Sequence, residues 1–523
     1  MQGWSPLLFI NDWAYGSSTY ILTNAKIIVF LFHAQCMRRE DTGQSRRDVL
    51  KLAGASSAVG IAGLAGCLGG GGGGDGTEGG DGTESEGDTT ESEGDTTEGG
   101  ATETGGGGNG TGTSGGEDYP SLGNFPIEGD TATFGFTVPQ SGSYQNEGAT
   151  ELQAYKLAVT HLNEGGGWVD SFEDLSGDGV LGKQIDYVEG DTATDPDTAR
   201  KAAGRMINRD NVIMFTGGSS TSVAIALESL AQQEKVQFQC CLTHGNGTTG
   251  SDCRRYGFRE VFNAYMTAQA LVPPVTEAYG DDLNFYQLYA DYSWGQSVQK
   301  STKQFFEEAG WTEVGNTATP LGTSDFSSYL SEAKSSDADV LFLDEYGLDG
   351  ANSLKQAVNQ GIKEDMEIVV PLYNQLVAGN AKQAIPGVFG TTAWDPGIEN
   401  EPSKTFVDAF QQEYDDLPPG VAQLAYAQTL QYAAAVERAG TFYPPEVIRQ
   451  LEGYEYDNIG LGQEVMRKCD HQAQRAVPVV QGKQEGDQSE NDLLELVNLV
   501  PSDQVGYDCD SGPAAECELG SYE

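Results

Sequence analysis

The sequence has few basic residues: 29 Lys and Arg among 523 residues, against 78 Asp and Glu, and only four His. Nucleic-acid affinity depends on Lys and Arg that displace counterions from phosphates, so a chain with a formal charge of -49 is not expected to bind nucleic acid. The HExxH motif and the P-loop lysine motif are also missing from the sequence. We therefore expect a protein that is not an enzyme and that holds no cofactor.

The acidic residues are spread along the chain rather than collected in one tail. Residues 68–118 hold 13 Asp and Glu and no Lys or Arg, and residues 119–523 hold 61 acidic and 23 basic residues. Repulsion within such a body is screened at molar salt, where the Debye length falls to about 3 Å. We interpret the composition as that of a halophilic protein. An acidic protein of a low-salt organism is the alternative.

The apolar run at 53–66 is too short to span a membrane, which takes about 20 predominantly apolar residues. It follows the stretch SRRDVLK at 45–51, a twin-arginine signature, and leads into LAGC at 64–67, which resembles the lipobox of prokaryotic lipoproteins. We predict a lipoprotein signal at 37–67, a lipid on Cys67 that anchors the chain at the outer face of the cell membrane, and an extension at 1–36 upstream of the true start.

The next segment, 68–127, consists largely of Gly, Thr, Ser, Glu and Asp, with GDTTE at 87–91 and again at 94–98. Such a composition cannot bury a core, so we predict a disordered acidic linker. Asn109 begins an NGT sequon in this linker, which is the pattern of an N-glycosylation acceptor outside the cell.

From residue 128 onward, strand patterns alternate with amphipathic helix patterns. A strand is predicted at 131–138 and a helix at 147–163, whose Leu152, Tyr155, Val159 and Leu162 form one apolar stripe. Further elements are predicted as strands 184–188, 212–216, 236–240, 284–289, 340–344 and 367–370 and helices 196–208, 222–234, 295–309, 349–360, 404–414, 422–439 and 444–451. This alternation is typical of an α/β fold with parallel sheets.

Several stretches together resemble one family, the extracellular solute-binding proteins of ABC importers for branched-chain amino acids, amides and urea. They are FGFTVPQSG at 134–142, GVLG at 179–182, DP at 195–196, GGSST at 217–221, ADYSWG at 290–295 and RKCDHQ at 467–472. The resemblance covers about 128–485. It implies a type I periplasmic binding protein fold, in which two Rossmann-like lobes with parallel sheets are joined by three crossovers, here near Asn263, Thr392 and Val480.

These crossovers divide the chain into two discontinuous lobes. Lobe 1 is predicted to hold 128–263 and 393–480, and lobe 2 is predicted to hold 264–392 and 481–523 with the tail. The resemblance implies a receptor that closes on a small polar solute and delivers it to the permease of an ABC importer. A ligand-sensing module of the same fold, or an extracellular enzyme or structural surface lipoprotein, are the alternatives.

The predicted solute contacts come from both lobes. Ser219, Ser220 and Thr221 offer hydroxyls and free backbone N–H groups at a helix N-terminus, which suits an anion, although plain N-capping would use the same residues. The resemblance adds Thr243 and Gly245 in lobe 1. In lobe 2, Tyr292 and Trp294 are predicted to cover the solute as an aromatic wall, with ordinary packing at a turn as the alternative. Tyr346, Tyr373 and Asn374 complete the predicted contacts. Beside them, His244 departs from the family pattern, and a surface loop histidine is an equal interpretation.

The family places an acid for the α-ammonium of an amino acid after the strand that corresponds to 367–370. Here the following residues read PLYN at 371–374, without a carboxylate. Glu345 or Asp349 could substitute, although a solvated surface carboxylate is the commoner case. An amino acid, an amide, a urea-like compound or a carboxylate therefore all remain possible solutes.

Six cysteines remain once Cys67 and Cys36 are set aside, and disulfides persist outside the cell. We prefer the pairs Cys253 with Cys469, both in predicted lobe 1, and Cys509 with Cys517, which bracket a Gly-Pro turn. The adjacent Cys240 and Cys241 are predicted to be buried thiols. Their spacing from the other Cys and His matches no zinc motif, so we predict no metal site.

Overall fold

The computed structural model describes residues 119–523. The predicted extension at 1–36, the signal at 37–67 with its Cys67, and Asn109 lie outside the described residues. Within 119–523, no helix is long and apolar enough to cross a membrane.

The strands are β1 Thr131–Val138, β2 Gln184–Asp191, β3 Met214–Gly217, β4 Gln237–Cys240, β5 Gly257–Arg259, β6 Asn284–Ala290, β7 Thr312–Thr319, β8 Val340–Asp344, β9 Glu367–Leu372, β10 Phe389–Thr391, β11 Glu455–Tyr456, β12 Glu464–Met466, β13 Ala473–Gln474, β14 Val477–Gly482 and β15 Leu494–Val500.

The α-helices are α1 Gln145–Glu164, α2 Pro196–Asp210, α3 Thr221–Glu234, α4 Ala264–Tyr279, α5 Ser293–Glu308, α6 Ser327–Lys334, α7 Gly347–Asn359, α8 Gln375–Asn380, α9 Glu401–Tyr414, α10 Gly420–Ala439, α11 Pro444–Leu451 and α12 Ser502–Val505. Short 3₁₀ segments are found at Gly167–Asp170, Asn246–Thr249, Ile362–Glu364 and Gly512–Glu516.

Lobe 1 is built on a five-stranded sheet in the order β2-β1-β3-β4-β5, in which every pairing is parallel. Strand β1 lies inside the sheet, and its Phe134 and Phe136 are fully buried. Helices α1 and α10 pack together beside this sheet, and Tyr155 of α1 stacks on Phe136 at 4.7 Å between ring centroids. A small antiparallel sheet, β11-β12-β13, adds to this lobe.

Lobe 2 is built on a seven-stranded sheet in the order β15-β14-β10-β9-β8-β6-β7. The strands from β6 to β10 run parallel, whereas β14 and β15 pair antiparallel at one edge. The predicted fold is thus confirmed: two α/β lobes built on parallel strands. The chain crosses between them after β5, after β10 and after β13, and a fourth time after β15.

Two predicted boundaries differ from the structure. Strand β14 was placed in lobe 1 up to residue 480, but it pairs with β10 of lobe 2, so the third crossover precedes Val477 rather than lying near Val480. The predicted linker extends too far, because residues 119–127 are ordered against lobe 1. Tyr119 stacks on Tyr443 at 4.6 Å, and the Asn124 amide donates to the carbonyl of Val212 at 2.8 Å.

The C-terminal tail also differs from the prediction, which assigned it to lobe 2. After β15 the chain returns to lobe 1, where the Arg255 N–H donates to the Leu519 carbonyl at 2.7 Å and the Tyr256 hydroxyl donates to the Tyr522 carbonyl at 2.6 Å. The tail therefore begins in lobe 2 and ends on lobe 1.

The preferred cysteine pairing was wrong, although the same four residues form the two disulfides. Cys253 pairs with Cys517, with 5.6 Å between their Cα atoms, and Cys469 pairs with Cys509, with 6.0 Å. Each bond joins lobe 1 to the returning tail, a path that the lobe assignment had missed. Cys240 and Cys241 are buried free thiols, as predicted.

Candidate functional site

The two lobes meet along the carboxyl ends of their parallel strands. Across this junction the Tyr144 and Tyr292 hydroxyls hydrogen-bond at 2.6 Å, and the Ser222 and Ser293 hydroxyls do so at 3.1 Å. Loops that follow parallel strands gather at one edge of a sheet, so the residues after β3 and β4 face those after β6, β8 and β9. The lobes are in contact, in a closed arrangement.

A cavity of about 10 Å³ remains between the lobes. It is lined by His244 of lobe 1 and by Tyr346, Tyr373 and Asn374 of lobe 2, among others. This volume holds about one water molecule, so a solute as large as an amino acid enters only when the lobes separate.

A larger groove of about 530 Å³ lies at the outer side of the junction, between Asn246 and Ser251 of lobe 1, Lys300 and Gln304 of α5, and Glu516 of the tail. It includes none of the predicted contact residues. The small cavity is the better candidate because its lining comes from the strand ends of both sheets, where ligands bind in open α/β folds.

The predicted lobe 1 residues are all buried at the junction, but their hydroxyls have different partners. The Ser219 hydroxyl donates to the Glu151 carboxylate, and the Thr243 hydroxyl is shared between the carbonyls of Gly218 at 3.0 Å and Cys241 at 2.9 Å. Thr243 therefore holds its own loop in place, whereas Ser219 belongs to a polar pair.

Thr221 and Gly245 bind each other: the Gly245 N–H donates to the Thr221 hydroxyl at 3.1 Å. A Cβ atom on Gly245 would lie 2.2 Å from Thr221 Cγ2, so the close approach requires glycine. Ser220 is the N-cap residue of α3, but its side chain makes no capping hydrogen bond. Plain N-capping by the Ser220 side chain is thus not observed.

The predicted lobe 2 residues form an aromatic wall with one lobe 1 ring. Tyr346 lies 5.6 Å from Tyr144 and 6.3 Å from Trp294 between ring centroids, and Trp294 lies 6.2 Å from Tyr292. Trp294 is 2% exposed, and its indole N–H has no hydrogen-bond partner. Through the contact of Tyr346 with Tyr144, this wall lies against lobe 1.

The loop after β9 supplies Tyr373 and Asn374. The Asn374 side chain caps α8, since its oxygen accepts from the Val377 N–H at 2.9 Å, and its NH₂ group donates to the Tyr346 hydroxyl. Tyr373 is fully buried and its hydroxyl has no partner. Both residues line the small cavity.

His244 is buried rather than a surface loop histidine, with 4% of its surface exposed. Burial, together with the nearby Arg259 charge, lowers the pKa of His244 to about 3, so the ring is neutral. The Arg259 guanidinium donates to the Thr243 carbonyl at 3.0 Å and thereby fixes the loop that carries His244.

Two acidic residues at the junction were missed by sequence reasoning. Glu147 and Glu151 of α1 are 1% and 0% exposed. Burial raises the pKa of Glu147 to about 7, and burial raises the pKa of Glu151 to about 8 despite the hydrogen bond from Ser219. Their spacing was the available signal, because positions 147, 151 and 155 lie on one helix face and Tyr155 was already predicted to face inward.

The two carboxylates that the sequence did suggest are also buried, not solvated. Glu345 accepts a hydrogen bond from the Thr319 hydroxyl at 3.2 Å, and Asp349 accepts one from the Gly322 N–H at 2.6 Å. Both bonds stay within lobe 2.

Comparison with known proteins gives a consistent picture. A family profile described as "Periplasmic binding protein" matches residues 131–487. The chain is 26% identical over 307 residues to the Leu/Ile/Val-binding protein homolog 7 of Brucella abortus, covering 54% of this chain and 71% of the relative. It is 22% identical over 342 residues to a leucine-, isoleucine-, valine-, threonine- and alanine-binding protein of Pseudomonas aeruginosa, covering 64% of this chain and 85% of that protein.

Among solved structures, the amino acid ABC transporter substrate-binding protein of Pseudomonas fluorescens Pf-5 superposes with a TM-score of 0.67 at 22% identity. The alignment covers 75% of this chain and 100% of the bacterial protein. At this identity the likeness concerns the fold.

Proposed function

Because the chain belongs to the periplasmic binding protein family, we propose that it is an extracytoplasmic receptor that captures a small solute of the amino-acid type and passes it to the permease of an ABC importer. The observation that carries this proposal is the junction itself, where a small buried cavity is lined by His244 of lobe 1 and by Tyr346, Tyr373 and Asn374 of lobe 2. One relative named above is a homolog of Leu/Ile/Val-binding proteins and the other is a leucine-, isoleucine-, valine-, threonine- and alanine-binding protein, which supports the solute class.

The mechanism that we propose is closure of the lobes on the solute. A solute shifts the equilibrium between open and closed lobes only through its greater affinity for the closed form. The hydroxyl pairs Tyr144–Tyr292 and Ser222–Ser293 form only when the lobes meet, so they add to that closed form.

The test is thermal unfolding of the purified protein in molar salt against amino acids, amides, urea and small carboxylates. A solute that binds only the folded state adds about 2.7 kcal/mol at 100 times its dissociation constant, which raises the unfolding midpoint. A rise with one chemical class supports the receptor function. No rise with any compound, for protein shown to be folded, contradicts it.

We further propose that a lipid on Cys67 anchors the receptor and that the acidic linker spaces it from the membrane. The LAGC stretch and the Gly-rich segment after it support this assignment. Replacement of Cys67 by Ala should release the exported protein into the medium, whereas replacement of Ser57 by Ala, within the same predicted signal, should leave it with the membrane fraction. Equal membrane retention of both variants would contradict the anchor.

The acidic surface supports a further proposal, that the protein is adapted to high salt. We expect the unfolding midpoint to rise steeply with potassium chloride up to molar concentrations. A midpoint that is already maximal in dilute buffer would argue for a low-salt organism.

A further inference from the structure

Two polar side chains, one from each lobe, line the small cavity between the lobes. His244 lies in the loop after β4 of lobe 1 and is 4% exposed, and Tyr373 follows β9 of lobe 2 and is fully buried. Among the described residues, neither His244 Nδ1 nor the Tyr373 hydroxyl has a hydrogen-bond partner. A buried polar atom without a partner is costly, so two of them at one cavity indicate a site for a polar group.

The surroundings of His244 determine what its ring offers. The ring makes a hydrogen bond to the Phe262 backbone that favours the protonated form, and since Nδ1 has no partner, Nε2 donates this bond. The Arg259 guanidinium donates to the carbonyls on either side of His244, at 3.0 Å to Thr243 and 2.5 Å to Gly245. This charge opposes a second proton on the ring. Nδ1 of the neutral ring is therefore an acceptor.

The Tyr373 hydroxyl can both donate and accept, and the backbone around it fixes the ring. The Tyr373 N–H donates to the Thr391 carbonyl at 2.7 Å. A Cβ atom on Gly390 would lie 2.4 Å from the Cβ atom of Tyr373, so glycine is needed there for the ring to take its place. Tyr373 thus presents its hydroxyl from a rigid part of lobe 2.

The two atoms restrict the chemistry of the group that fits between them. The cavity of about 10 Å³ admits one group of about the size of a water molecule. That group must donate to Nδ1, which a carboxylate cannot do. No Asp or Glu of residues 119–523 lines the cavity, so an ammonium would lose its hydration beside Arg259 without a compensating charge. An uncharged donor, such as a hydroxyl or a carboxamide NH₂, meets both conditions.

We propose that His244 and Tyr373 form a subsite for an uncharged hydrogen-bond donor of the solute, a hydroxyl or a carboxamide. This inference rests on the proposed receptor function and narrows its solute class. The solute group donates to Nδ1 of lobe 1 and bonds to the Tyr373 hydroxyl of lobe 2. Both bonds exist together only when the lobes are closed, so the group adds to the affinity for the closed form.

The experiment is calorimetric titration of the purified protein in molar salt with matched pairs of compounds. The pairs are threonine with valine, asparagine with leucine, and acetamide with acetate, which differ mainly in the uncharged donor. In the pair that binds, we expect the compound with the hydroxyl or carboxamide to bind about 10- to 100-fold more tightly, because its counterpart leaves buried polar atoms unpaired.

Protein variants test the same ratio of affinities. Tyr373→Phe removes the hydroxyl and keeps the ring, and His244→Leu removes the acceptor; each should bring the ratio toward 1. His244→Asn retains an acceptor oxygen and should restore part of the preference. A general loss of stability weakens both compounds of a pair and leaves their ratio unchanged, so the ratio separates recognition from a structural role.

The matched control is Tyr286→Phe on β6 of lobe 2. Tyr286 is also buried, at 4% exposure, but its hydroxyl bonds to the Thr317 hydroxyl at 2.6 Å and does not line the cavity. This variant should keep the ratio of the wild type. If His244→Leu fails to fold, Tyr373→Phe and the comparison of compounds on the wild type still decide.

The outcomes separate the two proposals. If the counterpart without the uncharged donor binds at least as tightly to the wild type, or if Tyr373→Phe and His244→Leu both keep the ratio of Tyr286→Phe, the subsite assignment is wrong while the receptor function stands. If no compound binds to the folded protein, the receptor function for this solute class fails and the assignment fails with it.

Discussion

The two lobes share a fold but bring different chemistry to their junction. Lobe 1 presents carboxylates and hydroxyls, namely those of Glu147, Glu151 and Ser219, whereas lobe 2 presents the rings of Trp294 and Tyr346. Polar groups that recognise charge act before the solute is fully enclosed, and aromatic surface gains most when it excludes water. On the proposed function, polar groups of lobe 1 and rings of lobe 2 therefore enclose the solute together.

The lobes also differ in their covalent cross-links. Both disulfides of the described chain connect lobe 1 to the tail, and the seven-stranded sheet of lobe 2 holds none. Lobe 2 depends on its packed core, in which Phe285, Phe306 and Phe342 are fully buried. In the described chain, lobe 1 therefore has covalent links in addition to its packed core, whereas lobe 2 relies on its packed core.

The largest effect is expected from Trp294→Ala in lobe 2. Loss of a buried aromatic side chain leaves a cavity and costs about 3–5 kcal/mol of unfolding free energy. Urea unfolding monitored by fluorescence measures this loss. Val314→Ala, at a 40% exposed position on β7 of the same lobe, is the control and should change little. An equally small loss for Trp294→Ala would mean that the wall is not part of the core.

Removal of the disulfides should affect lobe 1 almost as strongly. The double variant Cys253→Ser with Cys517→Ser opens a link between residues 264 positions apart, and Cys469→Ser with Cys509→Ser opens one over 40 positions. Such losses cost about 2–5 kcal/mol, more for the longer loop in the chain-entropy model. Urea midpoints of both double variants, compared with that of the disulfide-bonded wild type, give the order. The reverse order would argue that strain or local packing dominates.

The unfolding free energy of the solute-free protein should depend on pH through the buried carboxyl groups of lobe 1. A carboxyl group whose pKa is raised on folding binds more protons in the folded state than in the unfolded state. Its contribution to the unfolding free energy therefore falls as pH rises from its unfolded pKa of about 4.5 toward its folded pKa. For Glu151 this fall extends to about pH 8. Between pH 5 and 8, the Glu151→Gln variant should therefore lose about 1–3 kcal/mol less unfolding free energy than the wild type.

The control for this pH measurement is Glu164→Gln, which should run parallel to the wild type. Parallel curves for Glu151→Gln as well would mean that the folded state does not raise the pKa of this group.

The smallest effect concerns the contact between the lobes. Tyr292→Phe and Tyr144→Phe each remove one partner of the 2.6 Å hydroxyl contact, and a typical hydrogen bond contributes about 0.5–1.5 kcal/mol. Solute affinity should fall about 2- to 10-fold in each single variant. The double variant should be no weaker than either single one, since the two act through the same bond. Additive losses would show that the hydroxyls act separately.

The fold was largely readable from the sequence because its strands and helices have strong patterns. Strand β1 was predicted at its exact bounds, and the helix predicted at 444–451 coincides with α11. Helix α4 was missed since Pro273 and Pro274 interrupt its pattern, and β10 is too short, at three residues, to show alternation.

The junction was harder to predict because its key groups depend on the closed arrangement of two lobes. Glu147 and Glu151 are charged residues on a helix of a very acidic protein, where solvent exposure is the ordinary expectation. Only the placement of α1 at the end of β1, facing Tyr346, makes them buried. The path of the tail has no sequence signal at all apart from its two cysteines, which fit more than one pairing.

The path of the C-terminal tail limits how far the two lobes can separate. Eight residues, 501–508, join the last strand of lobe 2 to Cys509, which is bonded covalently to Cys469 of lobe 1. Fully stretched, such a segment spans roughly 26–29 Å, and α12 shortens it further. The angle to which the two lobes can open is thus bounded by the length of this short segment, however weak the contacts between the lobes become.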